Sequence, residues 1–203
     1  MKKIIFWLVG LLFLNNVSAD NINESNFLEF LSNKKFISAE FLQTTFKDGQ
    51  VRKIKGEIKA NRRGMFKVIY LDPLNEIISS NGYQLYRLDK EIEQLDISEI
   101  DATLSESPIG IFSTSKEELE DLFAVTNCLI DEELVTCFLE PKLEGSFLKN
   151  VSIQLANDEL TSLAYIDTFD QKVTLDFVDL SWDKILDKEF ILEIPEGIDV
   201  VNH

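Results

Sequence analysis

Histidine is almost absent from this chain: of 203 residues the one imidazole is His203, at the very end. A Ser-His or Cys-His pair would have to draw its base from a fraying terminus, so nucleophilic catalysis of that kind has no support. Gly-rich phosphate loops are missing, as are His/Cys/Asp/Glu groups at metal-ligand spacing, so neither a metal nor a cofactor is expected. Carboxylate pairs abound, but with 36 acidic residues they arise by chance. The reading is a protein that is not an enzyme. Basic residues are scarce, 20 against those 36 acids, for a formal net charge of −16. Phosphate-backbone recognition needs a concentrated basic face, and this balance argues against nucleic acid. Anionic membranes should also repel such a chain.

Long apolar runs are missing too, apart from Ile4 to Leu14. That run follows Lys2-Lys3 and precedes Val17-Ser18-Ala19, the arrangement of a secretory signal peptide and too short for a transmembrane span. Residues 1–19 are therefore expected to be removed, leaving a soluble exported domain over residues 20–203. No cysteine lies near residue 19, so no acylated lipid anchor is expected. The two cysteines, Cys128 and Cys137, sit symmetrically about an acidic turn at Asp131 to Leu134. In an exported protein this predicts a disulfide across a hairpin. No C-x-x-C is present, so a structural staple is favoured over a redox role.

What the chain does have is strand patterning. Ile54, Gly56, Ile58 and Ala60 alternate with Lys53, Lys55, Glu57 and Lys59, the period-2 signature of a half-buried strand. Asn61 to Gly64 turns the chain into Met65 to Leu71. Asn81-Gly82 is a strong hairpin signal between Ile77-Ile78 and Gln84 to Asp89, and Glu93 to Ser98 follows. Earlier, Asn23 to Lys35 reads as a helix with Asn23 as its N-cap, and Asn26 as the weaker candidate. Phe36 to Phe46 reads as a strand. Later, Pro108 opens Ile109 to Phe112 as a first helical turn, and Ser115 with Glu118 forms a capping box for a helix over Lys116 to Phe123. Strands are predicted at 123–130, 134–140, 149–156, 160–167 and 172–180, with one helical turn at 181–187. About a dozen short strands with few long crossovers make an antiparallel barrel or sandwich, and the helices must cover an apolar face of it. The strand residues Phe66, Val68 and Tyr70 share one face, where ordinary core and cavity lining cannot be told apart from sequence.

Several patches carry a resemblance. Arg62, Phe66, Pro73, Asn81-Gly82, Leu85-Tyr86 and Glu93-Gln94 are similar to the run K-R-P-x-x-F, Pro, D-G-x-x-L-W-x-Y, E-Q of the periplasmic outer-membrane lipoprotein carriers, the LolA family. Ile37 to Gln43 resembles its F-x-A-x-F-x-Q, and Phe190 to Val200 its terminal F-x-F-x-x-P-x-G-V-x-V. The departures are Arg63 for Pro, Tyr86 for Trp and Leu88 for Tyr. The resemblance implies a mainly β fold, an incomplete antiparallel barrel with an α-helical lid over an apolar cavity. It implies a lid latch at Arg62, with Arg63 as the competing position, since a guanidinium offers five donors to lid carbonyls. It also implies an acyl-chain lining of Phe41, Phe66, Val68, Tyr70 and Tyr86, closed from above by Ile109, Ile111 and Phe112. The function implied is that of a monomeric periplasmic chaperone. Its partners would be acylated lipoproteins as cargo, an inner-membrane ATP-binding-cassette releasing transporter and an outer-membrane receptor lipoprotein. The alternative is a periplasmic regulator that senses lipoproteins with the same half-barrel. Related regulators carry a second domain, for which this chain leaves no room.

Overall fold

Alternation of apolar and polar residues becomes strand register here, and register decides which side chains meet. A computed structural model describes residues 22–71, 73–100 and 107–203. The expected signal peptide and its cleavage site lie outside those residues. Twelve strands among the described residues form one sheet, in the order β12-β6-β5-β4-β3-β2-β1-β11-β10-β9-β8-β7. The strands are β1 (Phe36–Lys47), β2 (Gln50–Asn61), β3 (Met65–Tyr70), β4 (Glu76–Asn81), β5 (Gln84–Asp89) and β6 (Gln94–Glu99). After the helical segments come β7 (Phe123–Asp131), β8 (Leu134–Pro141), β9 (Leu148–Ala156), β10 (Glu159–Asp167), β11 (Lys172–Ser181) and β12 (Asp199–Asn202). All neighbours pair antiparallel except β12, which lies parallel to β6. With β7 and β12 at opposite edges the sheet stays open, as the incomplete barrel requires.

Among the described residues three short helices lie on one face: α1 (Phe27–Asn33), α2 (Gly110–Ser113) and α3 (Lys116–Leu122). The capping box forms at α3, where Ser115 Oγ accepts the Glu118 N–H at 3.2 Å and the Glu118 carboxylate accepts the Ser115 N–H at 3.1 Å. The cap of α1 is Asn26, not Asn23. Asn23 Oδ1 is occupied by the Ser25 backbone N–H at 2.9 Å, a local turn that delays the helix. The helical turn expected at 181–187 falls instead at Asp187–Phe190, where the Glu189 carboxylate accepts the Leu186 N–H.

Between helices and sheet lies the main apolar cluster. Phe27 and Leu31 of α1, Ile111 and Phe112 of α2 and Leu119 of α3 press against Ile37, Phe41, Ile58, Phe66, Ile153, Leu163 and Phe177. Gly56 admits this packing: a Cβ there would strike the Phe41 ring and come within 2.6 Å of the Ile69 carbonyl. A second cluster, Ile77, Leu88 and Leu95, faces the other way and is covered by Leu192 and Ile198. Residues 187–198 thus run back across the outer face of the sheet. Cations of β2, β3 and the turn between them hold these residues: Lys59 pairs with Glu189 at 2.8 Å, Arg63 with Asp187, and Lys67 Nζ donates to the Ile191 carbonyl at 3.0 Å. At the far edge, Cys128 and Cys137 face each other across β7 and β8 with their Cα atoms 4.1 Å apart, and they are disulfide-bonded. Glu24's own backbone N–H and, after it, the Cys128 N–H, which the Glu24 carboxylate takes at 2.9 Å, hold that carboxyl below its usual range.

Candidate functional site

The β2–β3 turn is built to aim a guanidinium. Asn61 Oδ1 accepts the backbone N–H of Arg63 at 2.9 Å and of Met65 at 3.3 Å, closing the turn on its own side chain. Gly64 takes the left-handed conformation, φ +78, and its N–H reaches the Ser113 carbonyl at the end of α2 at 3.0 Å. Ser80 Oγ ties this turn to the neighbouring hairpin, donating to the Gly64 carbonyl at 2.8 Å and accepting from Gly82 N–H at 2.9 Å.

Arg62 then spans the ends of two helices. Nη2 donates to the Leu31 carbonyl at 2.9 Å and Nε to that of Lys34 at 3.2 Å, both at the end of α1. Nη1 donates to the Ile111 carbonyl at 2.6 Å and to that of Thr114 at 3.3 Å, at the end of α2. Carbonyls at helix C-termini are short of intrahelical partners; that of Leu31 also takes the Lys34 N–H at 3.2 Å, and Arg62 adds a charged donor to the carbonyls at both helix ends. Burial lowers the Arg62 pKa to about 10, which still leaves it charged at neutral pH. Among the described ion pairs none involves Arg62, so its charge is met by carbonyl dipoles. Arg63, one residue on, points to the outer face and pairs with Asp187. A cavity of about 300 Å3 opens beside the guanidinium, lined by Arg62, Arg63, Gly64, Gly82, Ser113 and Thr114 among others.

Beneath the helices the face is apolar and closely packed. Phe66 and Ile111 are 0 % exposed, Val68 and Phe41 are buried, and Ile109 packs at the margin. Phe112 meets Phe177 edge-on, with ring centroids 6.0 Å apart, and Phe41 meets Tyr70 in the same way at 5.8 Å. Towards the other end of the face the lining becomes more polar. Burial pushes the Tyr70 hydroxyl up to about 12, helped by Glu76, and raises that of Tyr165 as well. The sequence expectation for Tyr86 is corrected. Its partner Ser79 and its neighbour Ile97 face outward, so Tyr86 belongs to the outer cluster and not to the face holding Phe66. A one-residue difference in parity decides this. Phe177, Phe123 and Leu163 line the face and were not singled out from sequence, although the alternation of Val173, Leu175 and Phe177 carries the signal.

The family model described as outer membrane lipoprotein carrier protein LolA matches residues 32–192. The chain belongs to the LolA family. An outer-membrane lipoprotein carrier protein of Hahella chejuensis is 30% identical over 175 residues, covering 84% of each chain. Among solved structures, an uncharacterized conserved protein of Thermus thermophilus superposes with a TM-score of 0.57 at 12% identity, covering 88% of this chain and 98% of its own. A LolA superfamily protein of Nitrosomonas europaea does so with a TM-score of 0.50 at 10% identity, covering 84% and 98%. At such identities the structural likeness speaks to the fold, and the open β sheet with few helices is common to this LolA family chain and these neighbours. No helix among the described residues of this LolA family member is long and apolar enough to cross a membrane.

Proposed function

We propose that this chain is a periplasmic carrier that shields the acyl chains of lipoproteins in transit between membranes. The observation that carries the reading is Arg62, whose four donor contacts gather two helix ends over an apolar face. Each CH₂ of a lipid anchor exposed to water costs about 0.8 kcal/mol, so an acylated protein does not cross an aqueous space without a cover. In this reading α1 and α2 are a lid with Arg62 as its latch, and Phe41, Phe66, Val68, Ile111 and Phe112 contact the acyl chains once the lid moves. The structure is then the closed form. Opening exposes apolar side chains, and the acyl chains re-cover them. Charged hydrogen bonds of about 1.5–3 kcal/mol hold a lid yet exchange without an energy source of their own. Loading by an inner-membrane ATP-driven transporter and unloading at an outer-membrane receptor lipoprotein complete the proposal.

The test is release of cargo from membranes. Spheroplasts that synthesise an acylated lipoprotein are incubated with the purified mature chain, and the supernatant is analysed by mass spectrometry. Intact lipoprotein in a one-to-one complex with this chain is expected. Supernatant free of lipoprotein defeats the carrier reading, and binding of a soluble acylated peptide in the same preparation would then favour a lipoprotein sensor.

A further inference from the structure

One end of the sheet differs from the rest of this acidic molecule. Register aligns Val51 with Phe46, Phe46 with Lys172, Lys172 with Ile166 and Ile166 with Lys149. These five residues form a single transverse row on the outer face of β2, β1, β11, β10 and β9, with apolar side chains and cations interleaved. Lys53 stands in the next row, opposite Thr44. Phe46 is 44% exposed and Val51 58%. The adjoining β10–β11 turn holds up Phe169, 62% exposed, with Lys47 Nζ 5.9 Å from its ring centre. Between the two turns a cavity of about 320 Å3 is lined by Lys47, Arg52, Gln50, Gln171, Thr45, Val51 and Asp48.

The carboxylates nearby offset only part of this charge: Lys47, Arg52, Lys53, Lys149 and Lys172 stand against Asp48, Asp167, Asp170 and Glu140, the last lining a pocket with Lys149. Asp167 is buried and spent on the backbone N–H groups of Phe169 and Gln171. Asp170 pairs with Lys149 at 3.7 Å, and Asp48 sits in the β1–β2 turn. Along β11 the next carboxylate on this face is Asp176, four residues from Lys172. At a strand rise of about 3.3 Å per residue that is about 13 Å away, beyond the Debye length of about 8 Å at physiological ionic strength. The acidic residues from Asp176 onward are therefore largely screened from whatever touches this end.

We infer that this end, the β1–β2 and β10–β11 turns with the row behind them, docks on an anionic phospholipid bilayer. Exposed aromatic side chains, Phe169 in the β10–β11 turn and Phe46 near the end of β1, suit the bilayer interface, and neighbouring lysines suit its phosphates. Exposed apolar side chains and cations sharing one row match the layered apolar and phosphate chemistry of a bilayer interface. The inference deepens the carrier reading by giving the chain a way to meet the membranes between which it moves, and it rests on that reading only for this purpose.

The mature chain is sedimented with vesicles of phosphatidylcholine containing phosphatidylglycerol, and with vesicles of phosphatidylcholine alone. Binding to the first, little to the second, and a fall in binding as salt is raised are expected. The double variant Phe46→Ser/Phe169→Ser should lose at least about tenfold in partitioning, and Lys53→Glu/Lys172→Glu should lose the preference for phosphatidylglycerol. All four positions are exposed, so the thermal midpoint should not move. Capture of an acyl-chain probe is measured in parallel and should be the same in every variant. If wild type ignores the anionic vesicles, or both variants bind them as wild type does, the docking inference fails while undiminished probe capture leaves the carrier reading standing. Vesicle binding without probe capture would do the reverse.

Discussion

Arg62 and Ile111 are 49 residues apart in sequence, and the guanidinium Nη1 donates to the Ile111 carbonyl at 2.6 Å. The same side chain reaches Leu31, 31 residues in the other direction, at 2.9 Å. Two helices with no continuity of their own are closed by one side chain from a strand turn between them.

Replacement of Arg62 by Leu should open that closure without unfolding the sheet. The loss from the closed state is on the order of 1.5–3 kcal/mol, a shift of roughly tenfold to over a hundredfold in the lid equilibrium. Faster amide exchange at the ends of α1 and α2 and stronger binding of an apolar dye are the expected readouts. Hand-over of cargo should suffer, because lid closure no longer helps to expel acyl chains. Arg63→Leu serves as the control: it removes an exposed pair with Asp187, worth about 0–1 kcal/mol, and should leave dye binding unchanged. Equal effects of the two substitutions would dismiss the latch.

Gly56→Ala should destabilise the fold. The added methyl meets the Phe41 ring and the Ile69 carbonyl, and the carbonyl belongs to a paired strand that cannot retreat. Overpacking of this kind costs about 1–3 kcal/mol. Urea unfolding measures it. Adding Phe41→Leu should recover only part of the loss, since shortening the ring leaves the backbone clash in place.

Reduction of the Cys128–Cys137 bond should lower stability by an amount near the bottom of the usual range of about 2–4 kcal/mol, because the loop it closes is short. Urea melts with and without reductant, alongside Cys128→Ala/Cys137→Ala, give the value. A loss well above that range would mean that the β7–β8 hairpin depends on the bond for more than loop closure.

Alkaline stability should carry the signature of Tyr70. Its folded pKa is raised from 10.0 to about 12 by burial, so the unfolded chain releases this proton first. The contribution is therefore fully present below pH 10 and is lost as pH rises through about 12. Tyr70→Phe should show a shallower decline of stability over that window in chemical denaturation. The same slope in both proteins would mean that the hydroxyl is not buried in solution.

Much of this was legible in the residues. Period-2 alternation placed β1 and β2, an apolar run between turns placed β3, Asn81-Gly82 placed its hairpin, and the spacing of Ser115 and Glu118 placed α3, because each is a local pattern whose partners lie within a few residues. Cys128 and Cys137 announced their pairing by symmetry about an acidic turn. The position of the basic turn, read through the family resemblance, singled out Arg62, but neither residue nor spacing could say which of Arg62 and Arg63 turns inward. Backbone geometry at Asn61 and Gly64 decided it. Likewise the parity that sends Tyr86 outward and the return of residues 187–198 over the outer face depend on side chains and carbonyls far apart in the chain. Alternation along a strand records that one face is buried, not what buries it. Only the tertiary structure set the short helices over Phe66 and a C-terminal strap over Leu88, because burial on either face looks the same along the chain.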